Sequence, residues 1–126
     1  MVTQPVNPRP GKITFVSVTI STNASGVSDS INLTGYALAG IQMSTAWTDA
    51  GIGYKNSVDG STNFGDMYDA TDTLLVYTTT ANRFIIVDPV AQQGLNLFQL
   101  VSETTAGAAV AQAASRTLVL TLYGGC

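Results

Sequence analysis

Between Lys12 and Tyr123 the apolar residues come in short runs, β-branched or strictly alternating, and no run has the length and spacing of a long amphipathic helix. The last run is the cleanest. In Arg-Thr-Leu-Val-Leu-Thr-Leu-Tyr, residues 116–123, Leu118, Leu120 and Leu122 fall on one face, and Thr117, Val119 and Thr121 on the other. Near the start, Lys-Ile-Thr-Phe-Val-Ser-Val-Thr-Ile-Ser places Val16, Val18 and Ile20 on one face. Ile13 and Phe15 fall on the opposite face, which predicts a strand whose beginning is covered on both sides. Phe84 to Val87 are continuously apolar, the pattern of a strand buried on both faces.

The remaining segments are punctuated in the same way. Asn23 to Gly26 supply a turn, and two short strands, Val-Ser-Asp-Ser-Ile-Asn-Leu-Thr and Tyr-Ala-Leu-Ala-Gly-Ile-Gln-Met-Ser, lie either side of Gly35. The stretch around Trp47 predicts a bend or a single helical turn, and Asp59-Gly60 a hairpin turn. A loop over 66–73 precedes the strand Leu-Leu-Val-Tyr-Thr-Thr-Thr. Asp88, Pro89 and Gly94 have the spacing of a one-turn helix, with cap, first position and stop. Leu-Asn-Leu-Phe-Gln-Leu-Val-Ser-Glu is another strand, whereas residues 104–114 are ambiguous between an alanine-rich helix and a loop. About eight short strands with turns between them predict an all-β, single-domain β-sandwich of jelly-roll type over residues 12–126. Residues 1–11 hold Pro5, Pro8 and Pro10, which fix φ and withhold backbone donors, so this segment reads as an extended arm. Such an arm is either a loose terminus or a strap on a neighbouring subunit.

Composition narrows the function. Charged residues make up 10% of the 126, against about 25% in ordinary globular domains. A surface so poor in charge is weakly protected against association. It predicts either a neutral secreted protein or a subunit buried in an assembly, and the sequence favours the assembly. The five cations are scattered and the formal net charge is −3, which argues against nucleic acid as a partner. No apolar run approaches the length of a spanning helix, so no membrane partner is expected. The N-terminus lacks an apolar signal core, which predicts assembly in the cytoplasm. Cys126, the single cysteine, is the last residue and reads as incidental.

Reactive chemistry is scarce. The absence of histidine removes the commonest general base and transition-metal ligand. No nucleophile-elbow serine and no phosphate-cradling glycine loop occurs. The chain is therefore expected not to be an enzyme and to need no cofactor. Two clusters invite a binding role. Asp59, Asn63, Asp66, Asp69 and Asp72 could offer oxygen ligands to calcium, but aspartates populate turns for their own backbone bonds, and that reading is favoured. Tyr36, Trp47, Tyr54, Phe64, Tyr68 and Tyr77 could stack on sugar rings, although core or rim packing is the commoner fate of such residues.

Residues 31–69, INLTGYALAGIQMSTAWTDAGIGYKNSVDGSTNFGDMYD, resemble a group of phage-encoded virion proteins. Their pattern is Leu-x-Gly-Tyr-x-Leu, Gly-Ile-Gln-Met, a Trp, a strand, Ser-x-Asp-Gly with a following Phe, and then Tyr-Asp. The likeness continues more weakly through Arg-Phe-Ile-Ile-Val-Asp-Pro and the closing strand. Those proteins are similar to discoidin-like, galactose-binding jelly rolls, and Ser57-Val58-Asp59-Gly60 with Phe64 matches their strand-to-hairpin motif. Asn63 is an insertion relative to the usual spacing, which puts the hairpin conformation in question. The resemblance implies a capsid decoration, or cement, protein on the exterior of the virion. Its partners would be the major capsid protein and further copies of itself, as a homotrimer. Pro5, Pro8, Arg9, Pro10 and Lys12 of the arm would then make the partner contacts. The alternative is a carbohydrate-binding module of a phage tail, fibre or head exterior, with Tyr36, Trp47 and Tyr68 touching a host glycan.

Overall fold

The computed structural model describes residues 13–33, 35–57, 59–60, 62–87 and 95–124. Nine strands follow one another among them: β1 (Ile13–Ile20), β2 (Ile31–Asn32), β3 (Tyr36–Gln42), β4 (Gly51–Ser57), β5 (Phe64–Asp66), β6 (Val76–Thr78), β7 (Phe84–Ile86), β8 (Leu97–Glu103) and β9 (Arg116–Gly124). There is no helix among the described residues. The expected helical turn at Asp88–Gly94 and the arm at residues 1–11 lie outside them. Residues 104–114 form turns and isolated bridges, so the loop reading of this segment is the correct one.

The strands make two antiparallel sheets, ordered β1-β9-β3-β7 and β2-β8-β4-β5, with β6 also on β4. The pairs β1 with β9, β2 with β8, β3 with β7 and β4 with β5 are nested inside one another. The chain therefore behaves as one long hairpin wrapped around a sandwich, which is the jelly-roll topology. The ninth strand has a simple origin. Running from Ser57 back to Gly51, β4 pairs first with Phe64–Asp66 and then with Val76–Thr78. β5 and β6 are thus two halves of one edge strand, interrupted by an excursion over 67–75. The neck of that excursion is closed by Leu75 N–H donating to Met67 O at 2.9 Å and by the Tyr68–Leu74 bridge.

Alternation builds the core. Val18, Ile20, Leu38, Ile41, Leu118, Leu120 and Leu122 face inward from one sheet, against Ile52, Tyr54, Phe98 and Leu100 of the other. Tyr54 meets Phe98 and Tyr77 edge-on, at 5.9 and 6.0 Å between ring centroids. Leu120 is fully buried, and its truncation to alanine would cost about 2–5 kcal/mol. The turns fall where the sequence places them. Gly26 has φ +65 and donates to Asn23 O, and Gly35 has φ +77 in the turn that leads Leu33 into β3.

Two expectations fail, for one reason. Ile13 and Phe15 are 42% and 67% exposed, not covered on both sides, and in β7 Ile85 is buried while Phe84 and Ile86 are 49% and 79% exposed. β1 and β7 are the two edges of the same sheet, and no second layer of described residues covers its outer face. A continuous apolar run carries no parity, so it cannot reveal which of its faces stays bare.

Candidate functional site

The outer face of the β1-β9-β3-β7 sheet is the most unusual surface of the protein. The register sets Phe15, Thr121, Gly40 and Ile86 in one row across the four strands. The next row along is Ser17, Val119, Gln42 and Phe84. Both edges are thus raised by large apolar side chains, and in these two rows the smaller Thr121 and Val119 of β9 stand between them. Gly40 is required there, because a Cβ at this position would stand 2.3 Å from Phe84 Cζ. The Phe84 ring accordingly lies over the backbone of β3. Arg116 is the one charged residue in these four strands.

One end of this face opens into a groove of about 410 Å3 lined by Gln42 to Ala46, Asn82, Ser115 to Thr117 and Val119. Arg116 is anchored at its margin. Its Nε donates to Gln112 Oε1 at 3.1 Å and one Nη to Thr48 Oγ1 at 3.2 Å. Gln112 is itself almost fully buried. Its Oε1 accepts from Thr48 N–H at 2.8 Å, while its Nε2 donates to Thr48 O at 3.1 Å and to Ser102 Oγ at 2.8 Å. This amide binds three separate segments of chain together. The sequence reading passed over it, because a lone glutamine in an alanine-rich stretch carries no periodic signal.

The aromatic candidates do not form a platform. Trp47 is half-buried against the core with its Nε1 donating to Ala50 O at 3.0 Å, in agreement with the packing reading. Tyr36 opens β3 and Trp47 follows its far end, so the strand, about 20 Å long, separates them. Tyr68, 54% exposed, stands on the excursion from the other sheet. Tyr54 is a core residue. Of the arm candidates, Pro5, Pro8, Arg9, Pro10 and Lys12 lie outside the described residues.

The acidic residues are engaged in their own turns. Asp59 Oδ1 accepts from Ser57 Oγ at 3.0 Å and Thr62 N–H at 2.7 Å. Its Oδ2 accepts from Thr62 Oγ1 and Asn63 Nδ2. Asn63 takes φ 55, a left-handed step that leads into β5, and Ser57 pairs with Phe64. Asp69 Oδ1 accepts from the Thr71 hydroxyl and from the backbone N–H groups of Thr71 and Thr73, which hold its carboxyl below the usual range. Asp66 pairs with Lys55 at 2.6 Å on the partly exposed face of the second sheet. The bonds of Asp59 and Asp69 support the turn-former reading, whereas Asp66 is a strand residue held in an ion pair.

Glu103 is the exception among the acids. It is buried at the end of β8, and its Oε2 has no hydrogen-bond partner. Burial, and secondarily the charge of Asp66, push its carboxyl up, and Lys55 only partly opposes them.

The chain shows no significant match to any protein-family model, curated protein or solved structure.

Proposed function

We propose that this protein is a phage capsid decoration protein, a jelly-roll subunit that adheres to the head shell and to further copies of itself. The reading rests on the resemblance of residues 31–69 to virion proteins. The observation that carries it is the outer sheet face, which exposes Ile13, Phe15, Phe84 and Ile86 and bears no charge among the described residues, on a chain that is itself charge-poor. Contact area of this kind stabilises an assembly through burial at about 25 cal/mol per Å2, repeated by symmetry over the shell. No reactive constellation is needed for such work. The arm at residues 1–11, with Arg9 among its prolines and Lys12 just beyond it, supplies the shell contact, and the major capsid protein is the partner.

The test is co-sedimentation with phage heads assembled from the major capsid protein of the genome that encodes this chain. The full chain is expected to bind stoichiometrically and to raise the temperature at which packaged heads release DNA. A chain lacking residues 1–11 is expected to bind more weakly while melting normally. A full chain that never co-sediments with heads rejects the proposal.

A second reading, a glycan-binding module on the virion exterior, draws on the groove beside Arg116, a mainly apolar hollow edged by the polar residues Ser44, Thr45, Asn82 and Thr117. It predicts glycan-array binding that Arg116→Ala abolishes. The separation of Tyr36, Trp47 and Tyr68 removes the aromatic platform on which the sequence form of this idea depended.

A further inference from the structure

We infer that the outer face of the β1-β9-β3-β7 sheet is a homotypic interface whose occupant is a second copy of this chain. The inference shares the adhesive reading given above but names one surface and one partner, and it can be tested with no capsid present.

At the exposures recorded for Ile13, Phe15, Phe84 and Ile86, these four side chains alone present about 450 Å2 of apolar surface. That lies within the range of the largest patch on a typical monomer, a patch that is often functional. Four strands spaced by about 4.8 Å, and up to about 26 Å long, frame a face on the order of 500 Å2 in projection. The four exposed side chains thus supply about half of the roughly 800 Å2 per partner of a standard interface, and the uncharged rows between them supply further contact area.

Shape and charge select the occupant. Two ridges, Ile13 with Phe15 on one edge and Ile86 with the Phe84 ring, which covers Gly40, on the other, flank a narrow valley along Val119 and Thr121 of β9. Two such faces, laterally offset, place an edge ridge of each copy in the valley of the other. The same patch then serves on both sides, as a two-fold interface demands. Among the described residues the outer face carries no charged side chain, so it meets itself without like-charge repulsion. The single charge of these strands, Arg116, stands at their end and is tied to Gln112 and Thr48. Two aligned sheets stacked in this way repeat the packing that already forms the interior of the sandwich.

Sedimentation equilibrium of the purified full chain, with the Phe15→Ser/Ile86→Ser double variant beside it, tests the inference. Both side chains are exposed, so the variant is expected to keep the melting transition of the monomer unit. The full chain is expected to dimerise, or to form an even-numbered oligomer, and the double variant to dissociate at least 100-fold more readily. A full chain that stays monomeric at millimolar concentration overturns the inference. So does an oligomer that the double variant leaves unchanged, or a monomer that dimerises only once residues 1–11 are removed, since the arm would then be the occupant. A protein that dimerises through this face yet ignores phage heads would sink the capsid reading and leave this inference standing.

Discussion

The carboxylate of Glu103 occupies the space that a side chain at Gly53 would fill: a Cβ built on Gly53 would stand 1.9 Å from Glu103 Oε2 and 3.2 Å from Leu75 O. Glu103 opposes Gly51 in the β4–β8 ladder, and Gly51 is equally hemmed in by Val76. The two glycines of β4 thus exist to admit a buried acid and the neighbouring strand. Gly53→Ala should cost about 1–3 kcal/mol by overpacking. In a Glu103→Ala background the same change should cost clearly less, because the clashing atom is gone. Urea unfolding of the four species in a double-mutant cycle reads the coupling. Equal costs in both backgrounds would show that Glu103 does not fill the place of the missing side chain.

The same carboxyl makes stability depend on pH. Burial raises its folded-state pKa above the ordinary 4.5, so between that value and the raised one the native state holds more protons than the unfolded chain. Stability should therefore fall as pH rises through this window and level off above it. Glu103→Gln removes the charge but keeps the shape, and should flatten the profile and stabilise the fold at neutral pH. Asp69 has the opposite sign: its lowered pKa contributes stability above the ordinary 3.8 that is lost as pH falls. The two effects occupy different ranges. Denaturation midpoints between pH 4 and 8 decide the matter, and a variant profile parallel to that of the parent would refute the assignment.

Gln112 is expected to matter more than its sequence context suggests. Replacing it with alanine strands the N–H and C=O of Thr48 and the hydroxyl of Ser102, and releases Arg116 Nε. Loss of such buried bonds should cost about 2–4 kcal/mol in total. Gln112→Glu keeps the acceptor for Thr48 N–H and Arg116 but loses the donor. It should fall between the parent and the alanine variant. Thermal melts of the three proteins give the order directly.

The jelly roll was legible in the sequence because its longest strands alternate. Residues 116–123 declare their buried face through Leu118, Leu120 and Leu122, and Asn23 to Gly26 and Asp59-Gly60 mark their turns by residues that tolerate left-handed backbone. What stayed hidden depends on topology. Whether Phe15 or Ile86 is covered is settled by β1 and β7 being edges, a consequence of pairing between segments far apart in sequence. The break between β5 and β6 resembled two strands, because the excursion at 67–75 is as polar as any ordinary connection. Glu103 and Gln112 escaped notice because burial of a single polar residue follows from three-dimensional neighbours, and no local pattern encodes it.

The excursion offers a final, local prediction. Asp69 N–H donates to Thr73 O at 2.9 Å, Asp72 N–H donates to Asp69 O at 3.0 Å, and Asp72 itself takes φ 66. A type I turn followed by one left-handed residue is the standard three-residue hairpin loop, and its left-handed position favours glycine. Aspartate tolerates that backbone better than most residues, yet a side chain there is strained by about 1–2 kcal/mol in the general case. Asp72→Gly removes the strain but loosens the unfolded chain by about 0.4–1 kcal/mol, so the two effects nearly cancel. Asp72→Val keeps the strain and adds β-branching, and should destabilise the protein by about 1–2 kcal/mol. The prediction is thus an ordering, with glycine close to the parent and valine clearly below both. Valine equal to glycine in urea unfolding would mean that position 72 does not hold the left-handed turn in solution.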